Sequence, residues 1–340
     1  MTESASQEIM ISPTEKAGDG PVVASAADGG YAIPLAAMLR SALTGLLPGR
    51  TLSVHVIDMG LSKTDRERLA RICTGNGGAL AWHDASSCGL EPLPLTNRMT
   101  MATYARLALS RLLPAEVGKV VWLDCDVLVT EDLERLWTTE MADRHLLAVQ
   151  DPCVPFVSSR YGIRRWRELG LPKQAKYFNA GVMLIDLDRW RQDDIGERAR
   201  DYVRERGADV MFWDQEGLNA VLCGRWAELD VRWNYCPGFT PRERPESARL
   251  EPWIVHFAGT LKPWHLPATE SGPRALFYRL LDETPWVGWR PRRTPGSVAR
   301  GWYEASRVRD VLYPAEHWWM LQLRRRLARV VRRALGRNHV

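Results

Sequence analysis

Asp124-Cys125-Asp126 follows the apolar run Val120-Val121-Trp122-Leu123, and His256-Phe257-Ala258-Gly259-Thr260-Leu261-Lys262-Pro263-Trp264 lies far downstream. Carboxylates at i and i+2 of an extended backbone share one face and can approach a single hard cation. The second segment puts an imidazole, a glycine and a lysine into one short loop. Gly259 lets backbone approach a phosphate closely, and Lys262 neutralises phosphate charge. One imidazole joined to carboxylate oxygens suits manganese better than zinc, with magnesium as the alternative. Such a set would hold a divalent metal and a pyrophosphate, which points to an enzyme that uses a nucleotide-activated donor.

A second Asp-x-Asp unit, Asp186-Leu187-Asp188, also follows an apolar strand. Asp188 precedes Arg189-Trp190-Arg191 and is placed as a helix N-cap, so this unit is assigned to structure. Cys125, between the first pair, is expected to face the core, opposite to its neighbours. Asn179 stands at a strand entrance, where a turn role is the simpler reading. Asp214-Gln215 opens a helix that Asp214 would cap, and Arg106 would lie on a helix surface.

Several elements must position these groups. Pro21 to Ala27 reads as a strand ending in Asp28-Gly29-Gly30-Tyr31, and a helix follows from Pro34 to Leu46. Leu52 to Ile57 is a strand, and Ser62 caps a helix from Lys63 to Cys73. Leu80 to Trp82 is a weaker strand, Met99 to Leu112 has helical spacing, and Lys119 to Leu123 is a buried strand. Further on, Tyr177 to Ile185 and Trp253 to Phe257 read as strands, Asp188 to Arg206 and Asp214 to Cys223 as helices. Strands alternating with helices imply an α/β fold with a mainly parallel, doubly wound sheet. Ligands bind such sheets outside the carboxyl ends of the strands, where Asp28 and the Asp124/Asp126 pair are placed.

The 340 residues are 45% hydrophobic and 26% charged, an ordinary globular composition. Residues 1–20 lack a basic start and an apolar segment; they read as a disordered lead-in rather than a secretory signal. The six cysteines form no Cys-x-x-Cys pair, which argues against a zinc site and fits reduced thiols in the cytoplasm. The net charge of +5 resides in the last 20 residues, which carry seven arginines and no acid; subtracting these leaves −2 for the rest. A basic tail on an acidic body argues against nucleic acid as a partner.

Six segments occur in a set order: Ala26-Ala27-Asp28, Thr103-Tyr104-Ala105-Arg106, Leu123 to Asp126, Phe178-Asn179-Ala180-Gly181, Asp214-Gln215 with Asn219, and His256 to Trp264. Together they resemble the family 8 glycosyltransferases, over about residues 21–270. The resemblance implies a single-domain, Rossmann-like GT-A fold, a UDP-sugar donor, Mn2+ and retention of anomeric configuration. By the same resemblance Asp124, Asp126 and His256 match metal ligands. Ala26, Asp28, Tyr31, Asp124, Asp126, Gly259 and Lys262 match donor contacts, with Tyr31 in the place of the residue that stacks on uracil. Arg106, Asp151, Asn179, Asp214 and Gln215 match residues around the transferred sugar. Gly29-Gly30 replaces the polar pair that often follows the first aspartate in this family, so a contact to the nucleoside is lost or made by backbone.

The expected activity is transfer of a hexose, glucose or galactose, from the UDP-sugar to a saccharide or lipid-linked acceptor. The alternatives are a non-catalytic sugar-nucleotide-binding or membrane-scaffold protein, and a glycogenin-like self-glycosylating enzyme. Asp151 to Gly170 and Arg232 to Arg249 are expected to form the acceptor side. Residues 271–340 form a Trp/Arg-rich extension. In it Trp318, Trp319, Leu323, Leu327, Val330, Val331 and Leu335 alternate with arginines as a basic amphipathic helix would. Such a helix lies on an anionic membrane surface, here the inner face of the cytoplasmic membrane.

Overall fold

In the computed structural model the described residues are 20–89, 93–95, 100–237, 239, 251–259, 262–265 and 272–291. Nine strands fall among them: β1 Val22–Ala27, β2 Leu52–Asp58, β3 Gly78–Asp84, β4 Lys119–Leu123, β5 Val127–Val129, β6 Leu146–Gln150, β7 Phe178–Asp186, β8 Trp226–Glu228 and β9 Ile254–His256. The α-helices are α1 Ala32–Thr44, α2 Lys63–Thr74, α3 Leu109–Leu112, α4 Leu133–Trp137, α5 Leu187–Gln192, α6 Ile195–Arg206, α7 Trp213–Val221 and α8 Gly272–Asp282.

Seven strands form one sheet in the order β3-β2-β1-β4-β7-β6-β8, and β5 pairs with β9 in a small second sheet. Within the large sheet only β7 runs against its two neighbours; the β3–β2, β2–β1, β1–β4 and β6–β8 pairings are parallel. The central strands are buried on both sides, which is why they read as continuous apolar runs rather than alternating ones. Val23, Ala27, Val121, Leu123, Val182 and Leu184 face a core with Leu35 and Met38 of α1 and Leu69 and Ile72 of α2. Val22, Ala24, Val120, Trp122, Met183 and Ile185 face the other, with Trp190 of α5, Val203 of α6 and Leu218 of α7. The expected doubly covered, mainly parallel sheet is therefore present.

Reversal of β7 has a functional consequence. The carboxyl ends of β1, β4 and β6 and the amino end of β7 lie on one edge of the sheet. Asp28, Asp124, Asp151 and Asn179 are the residues at those ends, so four separated segments meet along one line.

Local chemistry explains the departures from the expected elements. The Met99 to Leu112 helix is a 3-10 helix over Met101–Ala108 followed by α3. The Asp188 to Arg206 helix is two helices, broken where Asp194 takes a left-handed φ of 49°. Strand β6 and the short β5, β8 and α4 were not among the expected elements. Ser62 caps α2 as expected, its side chain accepting from the Asp65 N–H at 3.1 Å. The capping assignment in the second Asp-x-Asp unit is corrected: Asp186, not Asp188, caps α5, accepting from the Arg189 N–H at 2.9 Å. The chain turns into the helix one residue after β7 ends, so the cap falls on the strand's last residue. Asp188 instead points outward toward Arg191 at 3.4 Å. Asp186→Ala should lower stability by about 1 kcal/mol, and Asp188→Ala should change it by less than about 0.5 kcal/mol; urea denaturation of the two variants checks the order.

The core also extends past residue 270. Phe277, Tyr278, Leu280 and Leu281 of α8, and Trp286 after it, join the cluster that contains α1. The first part of the extension is thus packed onto the domain. Of the expected lead-in over residues 1–20 only Gly20 is described, and it is buried; residues 240–249 of the expected acceptor side and the amphipathic tail lie outside the described residues.

Candidate active site

The Asp124-Cys125-Asp126 unit sits in the turn between β4 and β5, not on an extended strand as expected. The Val127 N–H closes the turn on the Asp124 carbonyl at 3.3 Å. This turn passes the chain from the large sheet to the small one, and β5 pairs Val127 with His256 of β9. His256 is thereby brought beside Asp126, with Nε2 3.3 Å from Oδ1. One ligand atom from each of Asp124, Asp126 and His256 lies within 4.8 Å of the others.

Neighbours hold the far side of Asp124 and His256, while Asp126 Oδ1 and His256 Nε2 face each other. Trp122 Nε1–H donates to Asp124 Oδ1 at 2.8 Å, and Arg106 Nη2 lies 2.9 Å from the same oxygen. Both contacts fall on Oδ1 and leave Oδ2. His256 Nδ1 lies 2.8 Å from Asn234 Oδ1, which leaves Nε2 toward Asp126. Lys262 Nζ pairs with Asp126 Oδ2 and donates to the Phe257 carbonyl at 2.7 Å. Burial would raise the Asp126 pKa, but Lys262 and then His256 outweigh it and hold the carboxyl well below its usual range. Burial would likewise lower His256, and the Asp126 carboxylate reverses this, raising the ring to about 10. Two carboxylates and one imidazole whose far nitrogen is hydrogen-bonded form a donor set that fits manganese or magnesium better than a thiolate-seeking ion. Half-buried Cys125 packs toward the apolar core, as expected, and burial followed by the Asp126 charge pushes its thiol well up.

A second constellation adjoins this one. Asp151 Oδ1 accepts from the Cys153 and Val154 N–H groups, both at 2.8 Å. Asp151 Oδ2 accepts from Asn179 Nδ2 at 2.9 Å and Gln215 Nε2 at 3.1 Å. Gln215 Oε1 in turn accepts from the Ala180 N–H at 3.0 Å. Arg106 is buried rather than on a helix surface. It donates to the Ala180 carbonyl, and its Nε lies 2.7 Å from Asp214 Oδ2. Asp214 does not cap α7; its Oδ1 accepts from Thr103 Oγ1 at 2.9 Å. Burial, against the pull of Arg106, pushes the Asp214 carboxyl up to about 6. Trp213, immediately before it, has a φ of 43°, left-handed backbone that a side-chain-bearing residue adopts only under constraint.

The remaining expected residues line the β1 edge. Ala26 is the penultimate residue of β1. Asp28 Oδ1 accepts from the Gly30 N–H at 2.9 Å, and the Asp28 carbonyl accepts from the Tyr31 N–H at 2.9 Å. Tyr31 meets Trp264 edge to face at 5.7 Å between centroids. Burial and then the Asp126 charge push its phenol well up, which places Tyr31 in the field of the acidic pair. Gly259 has a φ of 80°, and a Cβ there would lie 2.9 Å from the Phe239 ring.

Four neighbours of these groups were not anticipated as site residues: Trp122, Thr103, Gly181 and Asn234. A Cβ on Gly181 would lie 2.2 Å from His256 Cε1, so the ring occupies the space a side chain would fill. Asn234 carries no local signal, because its partners His256 and Asn179 are 22 and 55 residues away in sequence.

Comparison with known proteins agrees with this geometry. The family profile described as glycosyl transferase family 8 matches residues 22–267. General stress protein A of Bacillus subtilis is 30% identical over 78% of this chain and 94% of its own length. The lipopolysaccharide 1,3-galactosyltransferase of Salmonella typhimurium is 24% identical over 70% and 71% respectively. Among solved structures, the galactosyltransferase LgtC in complex with donor and acceptor sugar analogs superposes with a TM-score of 0.66 at 30% identity, covering 78% of this chain and 96% of that one. The sheet order, the Asp-Asp-His cluster and these matches agree: the chain has the GT-A fold and belongs to glycosyl transferase family 8.

Proposed function

We propose that the protein transfers a hexose, glucose or galactose, from a UDP-sugar to a saccharide or lipid-linked acceptor, retaining anomeric configuration. The observation that carries this reading is the convergence of Asp124, Asp126 and His256 beside Lys262 at the ligand-binding edge of a family 8 fold. Asp124, Asp126 and His256 would hold Mn2+, or Mg2+ as the alternative. That ion would supply positive charge to the diphosphate as the glycosidic bond breaks. Lys262, already at Asp126, adds a second cation for the same charge. Ala26, Asp28, Tyr31 and Gly259 would line the nucleoside and phosphate side, with Tyr31 stacking on the base.

Arg106, Asp151, Asn179, Asp214 and Gln215 would surround the transferred sugar. Their hydrogen bonds and ion pairs favour one route to retention. Both oxygens of Asp151 are taken by four donors, and Asp214 is held between Arg106 and Thr103. A carboxylate so committed is a poor nucleophile. Attack of the acceptor hydroxyl on the face the UDP leaves needs none: the new C–O bond forms as the sugar–phosphate bond breaks, and a departing phosphate oxygen takes the hydroxyl proton.

Incubation with UDP-glucose or UDP-galactose and Mn2+ should release UDP slowly without acceptor. No release with either donor would leave a sugar-nucleotide-binding protein. Hexose increments in the intact mass would mark self-glycosylation.

Seven arginines, two tryptophans and a leucine stripe after residue 317 support peripheral attachment to an anionic, cytoplasm-facing membrane. Deleting residues 318–340 removes no described core residue and should leave UDP-sugar hydrolysis unchanged. Binding to phosphatidylglycerol vesicles should fall strongly, at about 1 kcal/mol per arginine lost from the surface, and the loss should shrink with added salt. Full-length protein that ignores such vesicles at low salt would overturn the membrane reading.

A further inference from the structure

We infer that Asn234 is a positioning residue that ties His256 to the amide network around Gln215 and fixes the hydrogen-bond direction of that network; this rests on the metal-dependent reading of the same site. For His256 to offer the lone pair of Nε2 to a cation, Nδ1 must carry the proton and needs an acceptor. Asn234 Oδ1 is that acceptor at 2.8 Å. The other end of the same amide, Nδ2, donates to Asn179 Oδ1 at 2.9 Å. Asn179 Oδ1 also accepts from the Gly181 N–H at 3.0 Å, so its own Nδ2 must face Asp151, where it donates at 2.9 Å. Asp151 Oδ2 then receives Gln215 Nε2 at 3.1 Å.

The direction of every link is set from both ends. At one end is an imidazole N–H. At the other is a carboxylate that can only accept. Asn234, buried to 2% exposure, must therefore accept on one side and donate on the other. The side-chain amide does both in one plane, whereas an ionised carboxylate only accepts. A carboxylate at this position would still accept from His256 but would present an oxygen to Asn179 Oδ1. Asn179 would then be driven to turn over, losing Gly181 and setting its oxygen against Asp151. Buried polar networks transmit such a mismatch because an unpaired group there is costly.

The test separates the two halves of this role. Free Mn2+ is titrated by electron paramagnetic resonance in wild type, Asn234→Asp and Asn234→Ala, and kcat for UDP release is measured at saturating Mn2+ and donor. Asn234→Asp should keep Mn2+ affinity within about threefold while kcat falls at least about tenfold, and Asn234→Ala should lose roughly 10–100-fold in Mn2+ affinity as well. Parallel loss of metal affinity and turnover in Asn234→Asp, unchanged turnover in that variant, or unchanged Mn2+ affinity in Asn234→Ala would each overturn the inference. Should Asn234→Ala not fold, Asn234→Asp decides alone. A wild-type protein that binds Mn2+ but turns over neither donor would refute the proposed activity, and the Mn2+ titrations would still decide the link to His256.

Discussion

Asp126→Asn should abolish Mn2+-dependent binding of a UDP-sugar and lower the melting temperature of the protein. The substitution preserves shape and removes one charge. Asp126 is the carboxylate that His256 Nε2 faces at 3.3 Å and that Lys262 pairs with. With a neutral amide there, the anionic donors for a hard cation would fall from two to one. The effect on stability has a separate origin. Lys262 is 8% exposed and would be left without a counter-charge, and breaking a buried ion pair from one side typically costs about 3–5 kcal/mol. Mn2+ titration and thermal melting read the two effects independently. Retained Mn2+ affinity in Asp126→Asn, together with its loss in Asp188→Ala, would show that the wrong Asp-x-Asp unit has been assigned to the metal.

Gly181→Ala should disable the same site while leaving every proposed ligand residue unsubstituted. The added methyl would lie 2.2 Å from His256 Cε1 and 2.7 Å from Nδ1. Neither neighbour is a flexible side-chain tip. The ring is fully enclosed and tied to Asn234, and the Gly181 backbone is fixed in β7, where its carbonyl accepts from the Asp124 N–H at 2.8 Å. Overpacking of this kind destabilises by about 1–3 kcal/mol, and the cheapest relief is displacement of the imidazole. Mn2+ affinity should then drop on the order of 10–100-fold, as when a ligand's supporting contact is lost. Wild-type Mn2+ affinity in Gly181→Ala would mean that His256 is not a ligand.

The ease with which these residues are found differs for physical reasons. The ends of β1 and β4 were legible because a buried parallel strand is a continuous apolar run, and a charged residue just past it stands out. His256, Gly259 and Lys262 were legible because loop chemistry concentrates in few residues. Asn234 was not, since a buried amide is defined by partners distant in sequence. Asp186 was misjudged against Asp188 because a cap depends on where the strand ends to within one residue. The turn at Asp124-Cys125-Asp126 was read as strand for a similar reason: the apolar residues Val127 to Val129 resume at once, and nothing in composition marks the passage from one sheet to the other. The Asp188 to Arg206 helix was overextended because the break at Asp194 uses an aspartate, which tolerates left-handed backbone without the glycine that would announce it. The packing of α8 was hidden behind a composition rich in Trp, Pro and Arg, although Phe277, Tyr278, Leu280 and Leu281 lie at helical spacing.

Sugar-nucleotide binding should depend on a divalent cation at Asp124, Asp126 and His256. Isothermal titration of UDP-galactose and UDP-glucose into the protein, once with Mn2+ and once with EDTA, measures this dependence. At least one donor should bind saturably with Mn2+ and lose that binding in EDTA. Equal binding under both conditions, or no binding of either donor with Mn2+ present, would mean that a cation at these three residues does not hold the donor.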